Sequence, residues 1–133
     1  MQVKTQIQFS VYLINKPGVL GSVTGALAGA GVNIGALALM DAGEHGALRL
    51  VTDDAEKARQ VLTETHDRWT EAEVLTTTVE NRPGAFARIA QALADAGVNI
   101  TYTYLSGGPV GGPTQAVFKV QQMDEARAAI EAI

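Results

Sequence analysis

The sequence contains no cysteine, and it carries few positive charges. Without cysteine there is no disulfide, no thiolate nucleophile and no cysteine-ligated zinc, which fits a reducing compartment. Its 10 lysines and arginines against 14 aspartates and glutamates give a formal net charge of −4. Because nucleic-acid binding depends on cations that neutralise phosphates, this balance argues against a nucleic-acid partner.

Histidines and long apolar stretches are also scarce. His45 and His66 are the only histidines, and neither has partners at a metal-ligand spacing, so we predict no metal site. The opening residues, MQVKTQIQFSVYLIN, alternate apolar and polar side chains and lack the apolar core of a signal peptide. No apolar stretch is long enough to cross a bilayer, and we therefore expect a cytoplasmic protein without a membrane partner.

A segment of 20 residues occurs twice. NKPGVLGSVTGALAGAGVNI begins at Asn15, NRPGAFARIAQALADAGVNI begins at Asn81, and 11 of the 20 positions are identical. In both copies Pro-Gly predicts a tight turn. Apolar residues then recur every three or four positions, which predicts an amphipathic helix that ends at Gly31 or Gly97. The chain is thus predicted to contain two related units.

The segments around each copy predict strands. An alternating segment precedes each turn, and two more, joined by a glycine-containing loop, follow each helix. A second amphipathic helix begins near Asp53 in the first copy and near Asp124 in the second. The order βαββα, completed by one more strand, predicts an α+β fold: two ferredoxin-like βαββαβ units, with antiparallel sheets and helices on one face. We assign the domain boundaries 1–72 and 73–133.

The second unit is predicted to lack a last strand of its own, because its second helix runs to Ile133. An unpaired sheet edge promotes aggregation, so another segment is expected to cover it. The opening alternating segment is about twice the length of an ordinary strand. We therefore predict an exchange in which Trp69 to Glu73 completes the first unit and Val3 to Ile7 completes the second.

A strand, Asn-x-Pro-Gly, an amphipathic helix, Ala-Gly-Val-Asn-Ile and a hairpin together resemble the ACT domain. The whole chain is similar to a tandem ACT protein. This resemblance implies a non-catalytic regulatory role, in which a free amino acid binds at interfaces between ACT units. It also implies a homodimer, a metabolic enzyme or regulator as a possible partner, and no cofactor.

The residue types at each turn suit an amino-acid ligand. The first turn of a helix presents N–H groups without intrahelical partners, and Gly18 or Gly84 would let a carboxylate approach them. Two asparagines of each copy are expected to converge on the ammonium group, since they should lie at neighbouring ends of one sheet. The predicted ligand-binding residues are Asn15, Pro17, Gly18, Val19, Leu20, Asn33, Ile34, Asn81, Pro83, Gly84, Ala85, Phe86, Asn99 and Ile100.

Local structure offers another explanation for these residues. Asparagine near a turn is favoured for local hydrogen bonding, and Lys16 and Arg82 lie at turn corners, where charges are commonly solvated. The second copy also has Tyr102 and Tyr104 where the first has alanines, so the two sites are expected to differ in volume.

Three classes of function remain open: an amino-acid sensor, an assembly module without a ligand, and a small ferredoxin-like enzyme. The enzyme is disfavoured because no nucleophile and base can be paired, and we predict no catalytic residues. The glycine-rich SGGPVGGPTQ has no Lys-Ser/Thr ending and no helix directly after it, so it does not indicate a phosphate-binding loop.

Overall fold

The computed structural model describes residues 1–42, 45–65 and 68–133. The chain divides into two compact units. The N-terminal unit is Ile7–Ala72, and the C-terminal unit combines Met1–Gln6 with Glu73–Ile133. Within the described ranges, no helix has the length and apolar character that a membrane crossing requires.

Ten elements follow one another in the part of the chain that the structure describes. They are β1 (Val3–Ile14), α1 (Val19–Gly29), β2 (Ile34–Ala42), β3 (His45–Thr52), α2 (Ala55–Thr65), β4 (Arg68–Glu80), α3 (Ala85–Asp95), β5 (Ile100–Leu105), β6 (Pro113–Val120) and α4 (Met123–Glu131). The βαββα order predicted for both copies is confirmed, as is the α+β fold class.

The N-terminal unit has the strand order β2-β3-β1-β4. β3 pairs antiparallel with both β1 and β2. Phe9 lies opposite Leu50, and Val11 lies opposite Leu48, so these four side chains share one face of the sheet. Both helices cover that face, since their apolar stripes join the same core. Its buried members are Phe9, Val11, Leu13, Val23, Leu27, Val32, Leu48, Leu50, Ala58, Val61 and Leu62.

The C-terminal unit repeats this arrangement with the strand order β1-β4-β6-β5. β6 pairs antiparallel with β4 and with β5. Helices α3 and α4 again contribute to one core on one face of the sheet. Its buried members are Val3, Leu75, Val79, Ile89, Leu93, Val98, Ala116, Phe118, Val120, Ala126 and Ile130.

The predicted strand exchange is confirmed. Val3 is buried in the core of the C-terminal unit, and its carbonyl oxygen accepts a hydrogen bond from Arg127 Nη1 at 2.9 Å. The Thr77 hydroxyl donates to the carbonyl oxygen of Gln2 at 2.6 Å. In the N-terminal unit Trp69 packs edge-on against Phe9, with ring centroids 5.8 Å apart. Each exchanged segment ends one residue earlier than predicted, because the boundaries between the two units lie after residues 6 and 72. The domain boundaries 1–72 and 73–133 stay a prediction.

Two acidic residues before α2 have different hydrogen-bond partners. The helix begins at Ala55, and the carboxylate of Asp54 accepts the Lys57 N–H at 3.0 Å, which caps the helix. The Asp53 carboxylate accepts the N–H of Asn33 instead, at 2.9 Å. This bond ties the beginning of β2 to the end of β3.

Candidate functional site

The helix that follows each Pro-Gly turn begins at a glycine with positive φ. Gly18 precedes α1 at φ 89°, and Gly84 precedes α3 at φ 86°. Neither helix receives a side-chain cap from the described part of the chain. The amides of the first turn are therefore left to other partners, as the predicted anion site requires.

A cavity of about 260 Å³ lies beside the first turn of α1 in the N-terminal unit. Five segments form its wall: the end of β1, the turn, the start of α1, the end of β2 and the start of β3. The lining residues are Leu13, Ile14, Asn15, Lys16, Val19, Leu20, Leu39, Met40, Asp41 and Gly46. Ligand pockets for drug-sized molecules usually span about 300–1,000 Å³, so this cavity suits a smaller molecule.

The wall of this cavity combines apolar and polar groups. Leu13, Leu20 and Leu39 supply an aliphatic surface, while Asn15 and Asp41 supply oxygen acceptors. The first turn of α1 supplies N–H donors and the positive end of a helix dipole. The cavity thus presents donors for an anion, acceptors for a cation and an apolar surface within one small volume.

The equivalent turn in the C-terminal unit is hydrogen-bonded to another segment of the same unit. The Asn81 side-chain amide donates to the Gly108 carbonyl oxygen at 2.9 Å. Its backbone N–H donates to Gly112 O at 2.8 Å, and its carbonyl oxygen accepts the Gly111 N–H at 2.8 Å. These glycines belong to the connection between β5 and β6, which has seven residues, 106–112, where two residues connect β2 to β3. In the first copy Asn15 is exposed and lines the cavity.

Aromatic packing distinguishes the two copies as well. Phe86 stacks on Phe118 in the C-terminal unit, with ring centroids 5.7 Å apart and planes within 10° of parallel. The residue 66 positions earlier is Leu20, which is 37% exposed at the cavity. Likewise Gly107 lies 66 positions after Asp41, so the second copy has no carboxylate there. The surroundings of the two turns therefore differ, while the difference in volume predicted from Tyr102 and Tyr104 stays a prediction.

The expected convergence of Asn15 with Asn33 is wrong. Ile14 lies opposite His45, at the start of β3, whereas Ile34 lies opposite Thr52, at its end. Seven residue steps at about 3.3 Å each separate these positions by about 23 Å. Because α1 returns the chain to the other end of the sheet, β2 starts far from the point where β1 stops.

The same correction applies to Asn81 and Asn99. Glu80 lies opposite Pro113 at the start of β6, and Ile100 lies opposite Val120 at its end. Asn33 instead joins β2 to β3, because its carbonyl oxygen accepts the Asp53 N–H at 3.1 Å. A ligand-binding role for the residues at the start of β2 and β5 stays a prediction. A ligand bound by them would not lie at the Pro-Gly turn of the same unit. These residues are Asn33, Ile34, Asn99 and Ile100.

The other predicted residues lie at the turns. Pro17 and Pro83 are exposed corners, while Val19 and Ala85 are half-buried and pack against the cores of their units. Lys16 lies at the cavity. Its counterpart Arg82 donates from Nε to the Glu80 carboxylate at 2.5 Å, so that guanidinium is held by the protein.

Sequence reasoning missed the part of the cavity that β2 and β3 contribute. Asp41 and Leu39 lie near the end of β2, and Gly46 lies at the start of β3. The available signal was the antiparallel hairpin itself, which returns β3 to the end of β1. A side chain at Gly46 would crowd the cavity wall, because its Cβ would lie 3.1 Å from Leu39 Cδ1.

Away from the cavity, the charged side chain of Arg59 has a structural role. The hydrogen bond from Arg59 to Glu71 raises the pKa of that guanidinium, and the pair joins α2 to β4 within the N-terminal unit. Among the residues that the structure describes, no three histidine, aspartate or glutamate side chains are grouped to hold a metal ion.

Several solved structures are similar to this chain. Protein BT0572 from Bacteroides thetaiotaomicron has a TM-score of 0.88 and 28% identity, over 98% of this chain and 89% of that one. The ligand-free regulatory subunit of aspartate kinase from Thermus thermophilus has a TM-score of 0.73 and 17% identity, over 99% and 96%. Aspartate kinase from Synechocystis has a TM-score of 0.69 and 17% identity, over 98% of this chain and 26% of that one. The last two share the fold.

Comparison with curated proteins gives no match. The family model described as an ACT domain pair, however, matches residues 4–132. That range includes both turns, all of β4, β1 except its first residue, and the helices α1 to α4. The chain therefore belongs to the family of ACT domain pairs.

Proposed function

We propose that this ACT domain pair is a non-catalytic, cytoplasmic regulatory protein that senses a free amino acid. The cavity beside α1 carries the proposal, because it places uncapped helix amides, oxygen acceptors and an aliphatic wall around a volume of about 260 Å³. The likeness to the Thermus thermophilus protein, named as a regulatory subunit, supports a regulatory role.

The ligand that fits this wall is a zwitterion with an aliphatic side chain. Its carboxylate would accept hydrogen bonds from the first-turn amides that follow Gly18. Its ammonium group would donate to Asn15 and to the Asp41 carboxylate. Its side chain would pack against Leu20 and Leu39, where burial of each CH₂ contributes about 0.8 kcal/mol. Leucine, isoleucine, valine and methionine are the natural amino acids of this class.

A thermal-shift screen against the twenty amino acids tests the proposal. A ligand at about 100 times its dissociation constant adds about 2.7 kcal/mol of stability, and we expect this only for the aliphatic class. Two analogues of leucine test its charged groups separately: 4-methylpentanoate lacks the ammonium group, and leucinol lacks the carboxylate. Both should bind at least tenfold more weakly, a loss of about 1.4 kcal/mol. If no amino acid shifts the transition, the chain is an assembly module without this ligand.

A cavity-filling substitution locates the site. Leu20→Phe places at α1 the side chain that the C-terminal unit has at Phe86, and it should abolish binding while the chain stays folded. Ala28→Phe is the matched control, because Ala28 is exposed on α1 and does not line the cavity. Equal affinity for ligand in the two variants, measured by calorimetry, would place the ligand elsewhere.

We propose that the signal passes through assembly with a second copy, and from there to a metabolic enzyme or regulator. β2 is the terminal strand of the N-terminal unit, and Leu37, Leu39 and Met40 on it are each 44–49% exposed. An exposed apolar edge strand favours pairing with another chain. Because Leu39 and Met40 also line the cavity, a bound ligand would change the surface offered to that second copy.

A further inference from the structure

We infer that each chain holds one amino-acid site at its Asn-x-Pro-Gly turns, not two, because residues 106–112 act as a tethered occupant of the second turn. This inference rests on the proposed function, since it concerns the number of sites of that kind. We call residues 106–112 the covering loop. Family membership and the repeated motif would both suggest two equivalent sites.

The first step concerns the hydrogen-bonding capacity of the second turn. Asn81 uses its side-chain amide, its backbone N–H and its backbone carbonyl on three glycines of the covering loop. Ala85 N–H also donates to Arg82 O at 3.3 Å. A ligand at this turn would have to replace these bonds, whereas the cavity at Asn15 is already open.

The second step concerns space and charge. Phe86 is larger than Leu20 and stacks on Phe118, whereas Leu20 lines the open cavity of the N-terminal unit. Gly107 replaces the carboxylate of Asp41, so the second turn has no charged partner at that position for an ammonium group. Even with the covering loop displaced, this turn would offer a smaller and less complementary site.

The third step concerns the covering loop itself, whose sequence is specific for its path. Gly107 and Gly111 have φ values of 82° and 81°, which other residues adopt at a cost. A Cβ at Gly108 would lie 2.6 Å from Pro113 O, and one at Gly112 would lie 2.7 Å from Pro109 Cγ. The glycines of SGGPVGG are therefore required by a compact loop that folds against Asn81, which accounts for a motif that the proposed function leaves unexplained.

Amide NMR of the full chain, labelled with ¹⁵N and titrated with L-leucine, tests the inference. We expect shifts at the amides of Gly18, Val19 and Leu20 and none at the corresponding amides of the second turn, with one leucine bound per chain. Shifts at both turns, or two leucines per chain at saturation, overturn it. Absence of any shift with leucine and with the other aliphatic amino acids overturns the proposed function instead.

Hydrogen exchange tests, in the absence of ligand, whether the covering loop is held against Asn81. The Gly111 amide, held by Asn81 O, should exchange at least about 100-fold more slowly than in an unstructured chain. Asn81→Ala removes the side-chain bond to Gly108 and should speed that exchange at least about tenfold, whereas Asn15→Ala, the matched change in the first copy, should not. Exchange of Gly111 at the unstructured rate in the unmodified chain overturns the inference.

Discussion

The exchanged strand makes the C-terminal unit depend on the first residues of the chain, and Val3→Ala measures that dependence. Val3 is 7% exposed and belongs to the core that also contains Ile89 and Phe118. Along the sequence, more than 80 residues separate it from either partner. Without the exchange, Val3 would have no contact with this core and would contribute little to stability.

The expected loss of stability follows from burial. Val3→Ala removes two carbon groups from a nearly closed environment, which costs about 1.6 kcal/mol by transfer. Incomplete collapse of the space left behind adds to this, so we expect about 2 kcal/mol. The neighbouring Lys4 is exposed, and Lys4→Ala should change stability by no more than about 0.5 kcal/mol.

Urea unfolding followed by circular dichroism provides the measurement. With a slope of about 2 kcal/mol/M, a loss of about 2 kcal/mol lowers the midpoint by about 1 M. The comparison of adjacent positions on one strand controls for general effects of changing the terminus. Equal midpoints for Val3→Ala and Lys4→Ala would show that the first strand does not complete the C-terminal core.

Two further predictions concern the turn and the sheet edge. Gly18→Ala should cost about 1–2 kcal/mol through its positive φ alone, because no atom beyond the neighbouring residues lies within 4 Å of the added Cβ. Gly18→Asn should cost less in the same unfolding assay, and equal costs would indicate a steric cause. Leu37→Lys should convert the proposed dimer to a monomer in light scattering after size exclusion, whereas Lys57→Ala on the exposed side of α2 should not. A dimer that survives Leu37→Lys would place the interface elsewhere.

The fold was predictable because its signals are local and occur twice. The Pro-Gly turns, the three-to-four periodicity of α1 and α3 and the ending glycines depend on neighbouring residues alone. The exchange was predictable from length, since β1 has 12 residues and β4 has 13, more than one ferredoxin-like unit needs. Elements of this kind can pack around a common core in only a few topologies.

The site was only partly predictable, because it depends on where elements end and on what packs over them. Asn15 and Asn33 share a motif, but the helix between them carries the second to the opposite end of the sheet. Asp41 reaches the cavity through strand pairing, which local motifs do not encode. The bonds from the covering loop to Asn81 depend on the path of a loop, and loop paths follow from tertiary packing.

The two turns show why a motif alone does not define a ligand site. Gly18 and Gly84 have φ values within 3° of each other, and both open an 11-residue helix without a side-chain cap. The two helix starts therefore share their backbone conformation, although the Ala85 N–H also donates to Arg82 O at the second turn. The two turns differ in their surroundings. An aliphatic cavity that includes Asp41 adjoins the first turn, whereas the covering loop and the stacked pair Phe86 and Phe118 adjoin the second. Whether such a turn binds a small molecule is consequently decided by the strands and loops that adjoin it, so assigning a site in ACT domain pairs requires each copy to be judged by its own surroundings.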